Sequence, residues 1–550
     1  MLAEILAAFP AGYTPRPAQA RLLAQLADAI AEAGDDRNAP RVFLVEAPPG
    51  VGKSHLAMTL AHWSGSAYLL TSQKMLQDQY EREFADQIQV VKGRDNYPCE
   101  RYPGARVTTS HGMCRRPGGP PCRCPYARAR AAALAGPVFC SNTAYFLTLR
   151  QWQDEQLPTR RMLIVDEAHT LEAQLTNVFT LSFTPEQMKA WFGGPLPRLP
   201  AADDYRALMA EHVERLEREV GQNARLLDSL RGTWLGEEFL LMPPSREEQD
   251  LRAQRDTLQN TLARLRYFVE ADDQEWVLRY PEGIEATLEL VPLEVSRLAP
   301  QLLFEAADLV VLSSAYLGRH EALAEYFGLD LTGVRAFGAD SPFPLAQRPI
   351  VYRPIGALSR ATLAELEPAL FHEVAAIMSR HIRDKGLIHA ASYRAARRLE
   401  RFLAEHAPAE HRRLIAVGSS SDKPGALEHH RTSPHPTVLL SPSLREGVDL
   451  PDDFLRFQIL TKMPFPDLGD PWTKARFDRD PRWYALETAK ALVQAYGRSC
   501  RHDADEGVTY VLDAQFARFV TRHRVLLPSW FLDAADAALR DYHEREQGDG

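Results

Sequence analysis

The 550 residues predict an α/β fold of two parallel-sheet units, the first interrupted by a cysteine-rich segment and then by a helical one. Three observations carry this reading. Short apolar runs alternate with amphipathic ones from Arg41 onward and again from Gly386 to Leu512, the pattern of βαβ units. Four of the six cysteines fall between Cys99 and Cys124. From about Asp203 to Phe268 the period lengthens into charged helices. At about 150 residues per domain the chain is too long for one core.

The first unit is anchored by Val45-Glu-Ala-Pro-Pro-Gly-Val-Gly-Lys-Ser54, which lies between the apolar run from Arg41 and the amphipathic run from His55. In a strand–loop–helix of this kind, the backbone N–H groups of Gly50, Val51, Gly52, Lys53 and Ser54 face one point before a helix N-terminus, where negative charge is favoured. The residues predict a phosphate loop in which Lys53 reaches the β- and γ-phosphates of ATP and Ser54 ligates Mg²⁺. Ala47 stands where the strict pattern has glycine.

Upstream, Tyr13-Thr-Pro-Arg-Pro-Ala-Gln19 leads into a helix with Leu22, Leu23, Leu26 and Ile30 on one side. Gln19 can read an adenine edge, or simply begin a helix after two prolines. Downstream, a strand at Ser66–Thr71 and a helix over Gln73–Phe84 follow. Thr71, Ser72, Gln73 and Gln77 then lie at a strand's carboxyl end, the binding edge of parallel sheets. They either contact a nucleic-acid backbone or cap a helix.

The cysteine segment is crowded with Gly and Pro and has little means of packing its own core. No stretch of 18 or more apolar residues occurs, and Glu4 stands where a signal peptide carries Lys or Arg, so a cytoplasmic protein with no membrane partner is expected. Disulfides are disfavoured there. Cys99, Cys114, Cys122 and Cys124 are enough for zinc or an iron–sulfur cluster, and their irregular spacing favours a cluster over paired zinc knuckles. Cys140, in an apolar run, reads as a buried small hydrophobe.

Net charge is −9, which excludes a globally basic nucleic-acid binder and leaves local patches. One lies in this segment, where nine Lys and Arg between Lys92 and Ala135 face only Asp95 and Glu100.

Arg161-Met-Leu-Ile-Val-Asp-Glu-Ala-His169 is an apolar strand tipped by two acids. Asp166 would hold Mg²⁺ through water and Glu167 would polarise the attacking water, completing a hydrolytic site with Lys53 and Ser54. Met209, Val213, Leu216 and Val220, then Leu251, Leu258, Leu262 and Leu265, recur at helical spacing on either side of Pro243-Pro244 and predict an antiparallel hairpin. The sheet resumes at Asp308–Ala315. Beyond a Pro-rich junction the second unit has no phosphate loop of its own. It carries Gln494-Ala-Tyr-Gly-Arg-Ser-Cys-Arg501, in which Arg498 and Arg501 would share a helix face as arginine fingers, with Cys500 pointing elsewhere.

Phosphate loop, Asp-Glu-Ala-His box and Gln-x-x-Gly-Arg-x-x-Arg, in this order, resemble a superfamily 2 helicase. Lys92–Cys99, Cys124-Pro-Tyr126, Ser141–Leu147, Leu312–Leu317, Gly386–Tyr393 and Ser441–Asp449 narrow the resemblance to the XPD/DinG iron–sulfur helicases, across nearly the whole chain. The resemblance implies two RecA-like motor domains with an inserted iron–sulfur domain and an inserted Arch domain. The first motor domain would occupy 1–95, 141–180 and 273–345, the cluster domain 96–140, the Arch 181–272 and the second motor domain 346–550.

It implies a [4Fe-4S] cluster on Cys99, Cys114, Cys122 and Cys124, with Cys140 in reserve because the gap before Cys124 is tight. Gln494 and Asp449 would couple nucleotide state to domain motion. The implied activity is ATP-driven 5′-to-3′ translocation by a monomer on single-stranded DNA, unwinding 5′-tailed duplex and R-loop or D-loop substrates that include RNA–DNA hybrids. Tyr316 replaces the family's usual Thr, and the exonuclease domain of some relatives is expected to be absent. The alternative is an ATP-driven switch that remodels DNA complexes without processive unwinding.

Overall fold

The computed structural model describes residues 1–34, 41–102, 107–112, 114, 123–152, 157–232, 243–280, 287–419, 422–444, 450, 452–498, 500, 502 and 505–548. The first unit begins with strands β1 (Val42–Glu46), β2 (Ala67–Thr71), β3 (Gln89–Val90), β4 (Val138–Asn142) and β5 (Arg160–Asp166). The chain then leaves this sheet. It forms β6 (Leu181–Phe183), two long helices (Asp204–Gly232 and Arg246–Glu270), β7 (Trp276–Arg279) and β8 (Leu288–Pro292), and returns with β9 (Ala307–Ser314) and β10 (Val334–Gly338).

The large sheet is ordered β10-β1-β9-β5-β2-β4-β3 and every pairing in it is parallel. Helices cover both faces, which is why its strands are continuous apolar runs rather than alternating ones. Successive side chains still point to opposite faces. Phe43 and Val45 of β1 pack with Leu22, Leu26, Leu56 and Leu60 on one side, whereas Val42 and Leu44 join the core of Phe146, Leu171 and Leu175 on the other.

The two long helices run antiparallel. Arg206, near the start of the first, donates to the Phe268 carbonyl near the end of the second, and Arg266 pairs with Glu217. Their buried seam, including Met209, Leu216, Leu258 and Leu265, is continuous with the first unit's core. At their base β6, β8 and β7 form a small antiparallel sheet.

The second unit holds β11 (Ile350–Gly356), β12 (Gly386–His389), β13 (Leu414–Ala416), β14 (Val438–Ser441), β15 (Phe457–Leu460) and β16 (Val508–Asp513). They form a parallel sheet ordered β11-β16-β15-β12-β14-β13, with separate cores on its two faces. Among the described residues no helix is long and apolar enough to cross a membrane.

The units are joined by buried polar contacts. Arg476 donates to Glu172 at 2.6 Å and Trp483 Nε1 donates to the other oxygen at 3.3 Å; Glu172 and Arg476 are both buried. Tyr316, after β9, is buried in the second unit's core, where its hydroxyl donates to the Leu526 carbonyl.

Candidate nucleotide site between the two sheets

Strand order explains how distant residues meet. β9 lies between β1 and β5, with Glu46 opposite Ser314 and Asp166 opposite Ser313. The loop after β1, the acids ending β5 and the serines ending β9 therefore share one carboxyl edge. In front of it lies a cavity of about 680 Å³ lined by residues that include Lys53, Ser54, Asp166, Glu167 and Arg498.

The loop needs its glycines. Gly50 and Gly52 have φ of 82° and 91°, values that cost a side chain strain. A Cβ on Gly52 would also sit 2.3 Å from Gln19 Nε2. Gln19 Nε2 donates to Gly52 O at 3.1 Å and its Oε1 accepts from Arg16 N at 2.7 Å, while the Arg16 guanidinium donates to Gly50 O. Gln19 thus braces the phosphate loop as well as lining the cavity. Lys53 heads the helix Lys53–Ser64. Its Nζ donates to Ala47 O at 3.3 Å and lies 3.9 Å from Glu167 Oε1.

The acids occupy different environments. Asp166 is buried; burial and then the charge of Glu167 push its carboxyl up to about 6. It accepts from Glu167 N on Oδ1 and from the Tyr80 hydroxyl on Oδ2, each at 3.0 Å. Glu167 has left-handed backbone, φ 53°, uncommon for a residue with a side chain. Burial pushes its carboxyl up, but Lys53, His169 and Arg498 outweigh burial and hold it well below the usual carboxylate range.

The second unit completes the cavity. Gln494 Nε2 reaches His169 Nδ1 and Ser314 Oγ, and His169 Nδ1 lies 3.2 Å from Glu167 Oε2. Its helix ends at Tyr496, so Arg498 sits in the turn beyond Gly497 rather than on a helix face. A Cβ on Gly497 would lie 3.0 Å from Pro49 Cγ, so glycine lets this turn approach the phosphate loop. Cys500 is likewise off the helix, buried, with its thiol donating to Asp505 O. Arg501 and Asp449 lie outside the described residues.

Other expectations divide. Ser72 and Gln73 face the cavity. Thr71 and Gln77 are buried, with Thr71 donating to Gln73 O and Gln77 Nε2 to Val91 O; they serve the fold rather than the cavity.

In the cysteine segment, Cys99 and Cys124 are buried and Cys114 half-buried. Cys124 caps the helix Pro125–Ala135, its sulfur accepting from Ala127 N at 3.4 Å. A Cβ on Gly112 would come within 3.1 Å of Cys99 Sγ, so glycine keeps space at that sulfur. Soft donors, buried and partly aimed into space, fit an iron–sulfur or zinc group in chemistry. Among the described residues no three His, Cys, Asp or Glu side chains gather to hold a metal, and Cys122 lies outside them. Cys140 is corrected as the reserve ligand: it is buried in β4 within the core, and burial pushes its thiol up to about 12.

Several residues at the site were not anticipated. His169 and Tyr80 touch the acids, Arg431 lines the cavity from the second unit, and Phe9 and Tyr13 flank His55 at its rim. The rim was the most legible of these, because Tyr13 lies just upstream of Gln19.

Residues 376–533 match the family model of the helicase C-terminal domain. The chain is 27% identical over 446 residues to the ATP-dependent helicase DinG of Mycobacterium tuberculosis, an alignment covering 72% of this chain and 65% of that protein. The chain is thus similar to the XPD/DinG helicases of superfamily 2. A second XPD/DinG relative, the 3′-5′ exonuclease DinG of Bacillus subtilis, is 25% identical over 271 residues, 46% of this chain and 29% of that protein. This chain thus spans less than two-thirds of either relative. The fold is similar to that of Xpd4 of S. tokodaii, with a TM-score of 0.57 at 15% identity over 94% of this chain and 98% of that one.

Proposed function

We propose that the chain is an ATP-dependent DNA helicase that translocates 5′ to 3′ on single-stranded DNA and opens 5′-tailed duplex and R-loop or D-loop structures. The observation that carries this reading is the approach of Gln494 and Arg498 from the second sheet unit to the phosphate loop and acids of the first. A nucleotide bound there contacts both units, so its hydrolysis alters the force between them.

The residues divide the work. Lys53 and the backbone N–H groups from Gly50 to Ser54 bind the β- and γ-phosphates. Mg²⁺, held by the Ser54 hydroxyl and through water by Asp166, would neutralise phosphate charge. Glu167, kept ionised by Lys53, orients a water for attack on the γ-phosphorus and accepts its proton as the bond to ADP breaks. Arg498 stabilises charge on the transferring group, with Arg501 as its expected partner. Gln494, touching His169 and Ser314, senses whether the acids are engaged, and Asp449 is the second expected coupler. Cys99, Cys114, Cys122 and Cys124 would hold a [4Fe-4S] cluster as a rigid cross-link in a segment poor in core. The arginines around it contact DNA phosphates. The proposal takes the domain limits expected from the sequence, with the hairpin as the Arch, and a monomer as the active form.

Tyr316 favours a second reading, a DNA-stimulated switch without processive unwinding, because it locks the loop after β9 into the second unit. A strand-displacement panel of 5′-tailed, 3′-tailed, forked and RNA–DNA duplexes, with Lys53→Ala as the inactive control, decides. Release from 5′-tailed duplex is expected. Equal release from 3′-tailed duplex sinks the polarity, and DNA-stimulated ATPase without strand release establishes the switch.

A further inference from the structure

Tyr80 lies on the helix Lys74–Glu83, carries no sequence motif, and is 1% exposed. Its hydroxyl meets Asp166, one of the groups to which the proposed function assigns the cation, donating to Oδ2 at 3.0 Å. Asp166 Oδ1 accepts from Glu167 N, so both carboxylate oxygens are fixed in direction. The Tyr80 ring packs 5.8 Å from that of Phe84, which holds the hydroxyl in place.

We propose that Tyr80 is a positioning residue for the divalent cation: its hydroxyl, donating to Asp166 Oδ2, presets the direction of the carboxylate that receives the cation. This rests on the nucleotide-site reading above. Hydrogen-bond partners of metal-binding groups are worth about 10- to 100-fold in metal affinity. Tyr80→Phe keeps the ring and removes the hydrogen bond to Asp166.

The test measures binding rather than turnover. Mn²⁺ binding to the full chain with ADP is followed by electron paramagnetic resonance, and fluorescent ADP binding is measured in EDTA. Tyr80→Phe is expected to weaken Mn²⁺ by roughly tenfold or more and to leave metal-free ADP affinity unchanged, a split that a merely structural tyrosine does not produce. Unchanged Mn²⁺ affinity overturns the proposal. If Tyr80→Phe loses metal-free ADP binding too, 3-fluorotyrosine placed at position 80 alters the hydroxyl within the native shape. Its Mn²⁺ affinity must then shift while metal-free ADP affinity holds, and no shift overturns the proposal. Absence of Mn²⁺-dependent ADP binding in the unaltered chain instead refutes the nucleotide-site reading itself.

Discussion

Gln494 Nε2 lies 3.2 Å from His169 Nδ1 and 3.2 Å from Ser314 Oγ, so one amide of the second sheet unit touches the ends of two strands of the first. His169 in turn meets Glu167. Truncating Gln494 to Ala removes this contact but none of the proposed phosphate-binding groups. DNA-stimulated turnover is expected to fall roughly tenfold, about 1.4 kcal/mol of barrier, with nucleotide affinity retained. Steady-state ATPase with and without single-stranded DNA checks this, and an equal loss in both conditions would argue against a coupling role.

Arg498 lies in a turn and bears on Glu167. Arg498→Ala is expected to lower kcat by about 10³-fold, while ADP binding persists. Lysine should not restore it, since a point charge cannot reproduce the guanidinium fork. Rescue by Arg498→Lys would reduce the residue to a general positive charge.

The Glu172–Arg476 pair joins the units in a buried setting. Arg476→Ala leaves a buried carboxylate without its cation and should cost about 3–5 kcal/mol. Replacing both residues with leucine should recover most of that loss. Denaturant unfolding of the two variants distinguishes these outcomes, and equal loss in both would show that packing, not charge, dominates.

His430 is buried between Phe454 O and Thr437 Oγ1, at 2.8 and 2.9 Å, and burial pushes its pKa from 6.5 down to about 4. The unfolded chain therefore binds the extra proton first. The stabilising contribution is complete above pH 6.5 and is lost as pH falls towards 4, on the order of 3 kcal/mol. His430→Gln should flatten this part of the stability–pH curve, and an unchanged slope would assign the acid sensitivity to other groups.

Cys140 and Cys124 should behave oppositely in metal analysis. With Cys140 in the core and Cys124 at a helix N-terminus, Cys140→Ser is expected to keep iron and labile sulfide, and Cys124→Ser or Cys99→Ser to lose them. Stoichiometric zinc in the unaltered chain would replace the cluster assignment.

Much of the site was legible because its parts are local. The loop from Val45 to Ser54 and the acids at Asp166 and Glu167 each declare themselves through a strand followed by a change of residue type. What stayed hidden depends on strand order and burial. Nothing in sequence brings Ser314 beside Glu46, since β9 reaches that place only by entering between β1 and β5. Tyr80 is a core-facing helical aromatic like many others until its hydroxyl is seen to meet Asp166. Gln77 misled for the converse reason: polar at the binding edge, it spends its amide on Val91 O. Arg498 was placed on a helix that Gly497 in fact ends, where glycine was itself the stop signal.

The position of β9 also sets an order of events during synthesis. β1 and β5 emerge from the ribosome early, but their partner begins only at residue 307, after the cysteine segment and the hairpin have been made. Until then the central gap of the sheet stands open, and Lys53 and Asp166 have no common edge on which to meet. A nascent chain halted before β9 should therefore be unable to retain ATP, however complete its sequence motifs. The helical hairpin, whose seam is local, is free to pair first and to carry β9 back towards its slot.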